Sequence, residues 1–168
     1  IREWGTEGSG QGECAGPIGL AVSNGEVLVC DHLNNRIQVF DVTGTFLRQW
    51  GTEGSGEGQL NGPHGIAVSG EEVYVCDGSN NRVVVFNLDG AFVRQWGSGG
   101  SGDGQFARPC GVVVNGDEVL ITDVNNHRVQ VFGLDGVYKR QWGGRGDGAD
   151  QFEFPEGIAV SEGEEFVV

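Results

Sequence analysis

Trp4, Trp50, Trp96 and Trp142 recur every 46 residues without slippage, and the text between them realigns at nearly every position. An internal period of this length restricts the chain to an architecture that stacks one supersecondary unit many times: a solenoid, a propeller or an array. The unit opening at Trp50 holds four short apolar runs, at Gly65–Val68, Val73–Cys76, Val83–Phe86 and Ala91–Trp96. No apolar pattern at helical spacing lasts two turns. Short β-branched and aromatic runs bounded by Gly, Asn, Asp and Ser read as strands joined by tight turns. The Leu-Asp-Gly turns at 88–90 and 134–136 carry the Asp-Gly hairpin signal. Four antiparallel strands repeated radially make a β-propeller blade, so the expectation is an all-β propeller. Its blades fall at 5–50, 51–96 and 97–142, with an incomplete one at 143–168 and the end of a preceding one at 1–4.

Three similar stretches, VCDHLNNRIQVF (29–40), VCDGSNNRVVVF (75–86) and ITDVNNHRVQVF (121–132), resemble the polar heart of an active site. They lie between the second and third strands, where Asp and Asn bond to local backbone and tolerate left-handed φ. Arg82 starts the third strand within reach of Asp77, and Asp31/Arg36 and Asp123/Arg128 repeat that pairing. A catalytic group has no reason to recur in every blade, so these are read as structural turn pairs.

The anchors Pro63, Gly65, Asp77, Asn81, Arg82, Phe86, Gly90 and Trp96, with counterparts in the other units, resemble the NHL repeat over the whole chain. The resemblance implies a propeller, most often six-bladed, used mainly to bind protein or RNA and in a minority of members for catalysis. The first unit departs at Cys14 and Leu20, both tolerable apolar replacements.

The 168 residues hold about 3.65 units, whereas six blades need about 276 residues. The chain lacks Met, and both ends cut through a blade, leaving strand edges and an apolar flank of the kind native proteins avoid. The expectation is a segment of a longer chain, completed by further blades in cis. Self-association to complete a ring is the first alternative. The second is a closed four-bladed ring with Ile1–Trp4 as the outer strand of the last blade.

With 24 acidic against 10 basic residues the formal net charge is −14. Nucleic-acid binding relies on Lys and Arg neutralising phosphates, and most Arg residues here are locked into turns (Arg36, Arg82, Arg128) or outer strands (Arg48, Arg94, Arg140). Nucleic acid is therefore not the expected partner of this segment. No run approaches transmembrane length, and no membrane partner is expected.

The Gly-rich stretches after each Trp lack the Gly-Lys-Ser/Thr ending of a phosphate loop and open no helix. Their acids could attract calcium, but the dense oxygen spacing of a dedicated loop is missing. They read as flexible inter-blade crossings on one face. Arg145-Gly146-Asp147 aligns with Glu53-Gly54-Ser55 and reads as ordinary connector. No C-x-x-C pair occurs, so the four cysteines are expected as free, buried thiols.

One column breaks the monotony. The middle residue of P-x-G, expected just before the innermost strand at the channel mouth, is Ile18, His64, Cys110 and Glu156 in successive units. These four are the candidate binding rim. His64, Cys110 and Glu156 are also legitimate zinc ligands, and the peptide-amidating lyases, which are similar to NHL proteins, hold zinc with channel histidines. No paired catalytic carboxylates or nucleophile elbow stand out. The functional expectation is a non-catalytic scaffold binding a protein or peptide across the channel face, without a cofactor. The alternatives are a metal-dependent lyase or hydrolase using His64, and a structural array in a larger protein.

Overall fold

The computed structural model describes residues 4–161 and 164–167. Each complete unit is a four-stranded antiparallel sheet in simple meander order. The first comprises β1 (Pro17–Ser23), β2 (Glu26–Asp31), β3 (Arg36–Asp41) and β4 (Phe46–Trp50). The second comprises β5 (Pro63–Ser69), β6 (Glu72–Asp77), β7 (Arg82–Asn87) and β8 (Phe92–Trp96). The third comprises β9 (Pro109–Asn115), β10 (Glu118–Asp123), β11 (Arg128–Gly133) and β12 (Tyr138–Gly143). The hairpin β13 (Ile158–Ser161) and β14 (Glu164–Val167) begins a fourth. Residues 1–3, assigned from the sequence to a preceding blade or to closure of the last one, lie outside the described residues.

The first strands β1, β5, β9 and β13 adjoin one another, so the sheets fan out from a common inner edge. Alternation along a strand then feeds two interfaces at once. Leu28 and Cys30 of β2 pack with Ile66, Val73 and Val75 of the next sheet, while Val27 and Val29 face the other flank. Tyr74 and Cys76 continue the pattern against Val112, Val119 and Ile121. Each fully buried side chain of this size contributes about 1.5–3 kcal/mol. A sheet two-sided in this way has no core of its own and gains it only from neighbours. The outer flank of the first sheet makes the point: Leu20 is 59% exposed, whereas its counterpart Ile66, covered by that sheet, is 6% exposed.

The periodic Trp is the key between sheets. Trp50 ends the first sheet but lies 6.0 Å from Phe86 of the second, and Trp96 lies 5.8 Å from Phe132 of the third. Trp4 is placed likewise on Phe40, at 4.7 Å. Beneath Trp50 sits Gly90 in the turn between β7 and β8, with φ +88°. A Cβ there would stand 2.5 Å from the indole Cδ2. The Asp-Gly signal thus serves two demands, left-handed backbone and the neighbour's ring. Arg48 reinforces the joint, pairing with Glu26 at 2.6 Å and donating from Nη2 to the Leu88 carbonyl of the next sheet at 2.8 Å.

Candidate functional site: the mouth of the inner strands

The recurring turns leave nothing for a ligand. Arg82 uses all five guanidinium donors. Nε donates to Asp77 at 2.7 Å, Nη1 to the Ser55 carbonyl and Gln95, and Nη2 to the carbonyls of Gly56 and Gln59. Arg36 and Arg128 repeat the set with Asp31 at 2.7 Å and Asp123 at 2.8 Å. All three Asp side chains are fully buried, and each also accepts a backbone N–H from its own crossing, Ala15, Asn61 or Ala107. The Gly-rich crossings, expected to be flexible spacers, are laced to these turns through their carbonyls. Arg145-Gly146-Asp147 shares the local geometry: Gly146 N–H donates to Phe152 as Gly54 does to Leu60.

Asn35, Asn81 and His127 take the left-handed position after each turn (φ near +55°) and reach forward. Their side chains accept the N–H of Gly62, Arg108 and Phe154 in the following unit. The residue before P-x-G is thereby held, itself left-handed, at φ +63° for Gly62, +60° for Arg108 and +57° for Phe154.

In the three complete sheets the P-x-G column lies within the innermost strand, not ahead of it as expected; only Glu156 precedes its strand, β13. Pro63 pairs with Asp77 but Ile66 with Val75, so His64 and Gly65 form a bulge opposite Cys76. Bulges re-aim side chains. The Gly is required because inner strands nearly touch: a Cβ on Gly111 would meet the Glu156 carbonyl at 2.5 Å, and Gly19 and Gly65 face the carbonyls of His64 and Cys110 more tightly still. This approach brings Ile18, His64, Cys110 and Glu156 to one cavity of about 310 Å³ above an apolar floor that includes Ile66, Val112 and Ile158.

Two residues that sequence reasoning left out join them. His32, read as a turn residue, packs edge-on against His64 at 4.6 Å between ring centroids, its Nδ1 3.3 Å from the Pro63 carbonyl. Arg108 pairs through Nη2 with Glu156 at 2.9 Å. Burial pushes the His64 pKa below its ordinary value; His32 and Arg108 push the same way and Glu156 opposes them. The signal was present in the columns, which read His32, Gly78, Val124 and Gly16, Gly62, Arg108, Phe154. Gly78 makes the room, since a Cβ there would stand 2.9 Å from His64 Cδ2.

The zinc reading of the column does not fit these residues. Among the described residues no three His, Cys, Asp or Glu side chains converge as a metal set. Glu156 is already engaged by the Arg108 guanidinium at 2.9 Å. All four cysteines are free; Cys30, Cys76 and Cys110 are buried, but Cys14, expected buried, is only partly so. The Cys76 thiol points at the Gly111 carbonyl at 3.7 Å, and Thr122 holds the equivalent place, donating to the Glu156 carbonyl at 3.0 Å.

Fanned four-stranded sheets joined at their inner strands define a protein of the β-propeller class. The NHL repeat family profile matches at residues 15–40, 60–86 and 106–132, one match in each complete sheet, so the chain carries three NHL repeats. Protein lin-41 of Caenorhabditis elegans is 48% identical over 48 residues, which is 28% of this chain and 4% of that protein. Among solved structures, a streptogramin B lyase aligns with TM-score 0.64 at 18% identity, covering 85% of this chain and 44% of its own. The hydrazine synthase of Kuenenia stuttgartiensis aligns with TM-score 0.66 at 14% identity, covering 88% and 39%. The chain therefore spans less than half of these solved structures, and the likeness is one of fold.

Proposed function

We propose that this chain is a binding module that recognises a protein or peptide across the channel mouth. One observation carries the reading: four unlike side chains, Ile18, His64, Cys110 and Glu156, share one cavity, while the turns around them repeat almost letter for letter. A scaffold position repeats because every sheet needs it; a ligand surface needs different chemistry at different points. The resemblance to the NHL repeat implies binding more often than catalysis, and the mouth, with its apolar floor and polar lip, has the usual make-up of a ligand site. The exposed flank bearing Leu20 and Val22 is where a further sheet packs, from the same chain or from a second copy.

The test is a quantitative pull-down with the wild-type chain and the double variant His64→Ala/Glu156→Ala, each checked for an unchanged thermal melt. Loss of the captured partners from the variant is expected. Full retention would move the contact surface away from the mouth and leave the structural-array reading in its place.

A further inference from the structure

We infer that the mouth takes a carboxylate of its peptide ligand, held between His64, supported by His32, and Arg108, with apolar neighbours of that carboxylate on the floor formed by Ile66, Val112 and Ile158. This rests on the channel-face reading above and narrows it to a ligand chemistry.

Three observations converge. First, the chain has three histidines and ten Lys and Arg residues. Two of those histidines and Arg108 gather at this mouth. The six repeat-locked arginines bind carboxylates or carbonyls within the sheets. Second, Arg108 stands where sister units carry Gly16 and Gly62, left-handed and directly before a proline, a conformation that costs any residue with a Cβ. Strain of this kind is retained where the side chain has work to do. Phe154, in the same position, rests on the His127 ring at 4.7 Å; Arg108 instead extends to the mouth. Third, Gly78 leaves open the space that His64 occupies.

The donors are complementary to an anion. Arg108 meets Glu156 through Nη2 and is 42% exposed, so a second acceptor can share the guanidinium. The imidazole of His64 faces His32, Arg108, Glu156 and Cys110; burial, His32 and Arg108 oppose its protonation, Glu156 favours it, and an arriving anion adds to the side of Glu156. The formal charge of −14 gives an acidic ligand no long-range attraction, so the preference resides in contacts at the mouth.

The experiment measures fluorescence anisotropy of three labelled Gly-Gly-Leu-Leu probes with the full chain: one with a free C-terminal carboxylate, one amidated, and one amidated after an added Asp. The free acid, the Asp probe or both should bind about tenfold more tightly than the plain amide, as expected for hydrogen bonds to a charged group. Which of the two acids leads identifies a chain terminus or a side chain as the source. The preference should fade as pH rises and the His64 imidazole, already held below its ordinary value by burial, loses its proton. Arg108→Gly should abolish the preference while raising or preserving the melting temperature, because it removes both the anion donor and the strained Cβ. His64→Gln should flatten the pH dependence. Equal binding of all three probes would overturn the carboxylate inference while leaving the channel-face reading intact. Acid preference surviving in both variants would overturn it by placing the anion elsewhere. No binding by any probe, or displacement only by a single-stranded oligouridylate, would overturn it as well, the latter by making phosphate the anion recognised.

Discussion

The turn around Asp77 and Arg82 and the mouth around His64, Arg108 and Glu156 are both polar, both lie within a few residues of the same strands, and behave in opposite ways. The turn recurs in three sheets, hides every charge and satisfies every donor. The mouth changes its side chain from unit to unit and leaves Arg108 and Glu156 exposed. In a repeat protein the conspicuous motif is scaffold, and the departures from it mark what is left for recognition.

The sharpest way to break this comparison is Asp77→Ala. It strands a guanidinium that is 5% exposed, and removing one partner of a buried pair costs about 3–5 kcal/mol. A urea titration should show that loss, whereas Glu156→Ala at the mouth should move the midpoint by less than about 0.5 kcal/mol. Equal effects would erase the distinction. Next comes Gly90→Ala, which meets the Trp50 indole and a left-handed backbone together, for about 2–4 kcal/mol. Gly70→Ala, left-handed at φ +59° with no neighbour within 4 Å, should cost only about 1 kcal/mol in the same titration. The smallest effect is acid-linked. Hydrogen bonds from Arg94 hold the Glu72 carboxyl at about 2 against an ordinary 4.5. A depressed folded-state value means that the stabilisation is complete above 4.5 and is lost as pH falls toward 2. The side chains are roughly a quarter to a third exposed, so this term is limited to about 1 kcal/mol. Thermal melts from pH 6 to 2 should show less of the decline in Glu72→Gln than in wild type.

The period, the four strands and the turn positions were legible because they depend on local chemistry that the sequence repeats three times over. The destination of Trp50 was not, since its socket at Gly90 lies a full unit ahead and the sequence records only that both recur. The crossings looked loose because glycine is the residue of loose loops; what fastens them is Arg36, Arg82 and Arg128, each needing more acceptors than one Asp supplies. At the mouth, the P-x-G column was legible as an irregularity. His32 and Arg108 escaped because neither belongs to a recurring motif: each stands out only against the Gly, Val or Phe at the same position of another unit.

The forward reach of Trp50, Arg48 and Asn35 has a consequence for how such chains lengthen. Every 46-residue stretch carries a plug for its successor and a socket for its predecessor, so a tandem duplication yields a module whose two joints already match. Growth by whole modules then requires no new interface, and a freshly copied mouth residue is at liberty to drift toward another ligand while the joints hold.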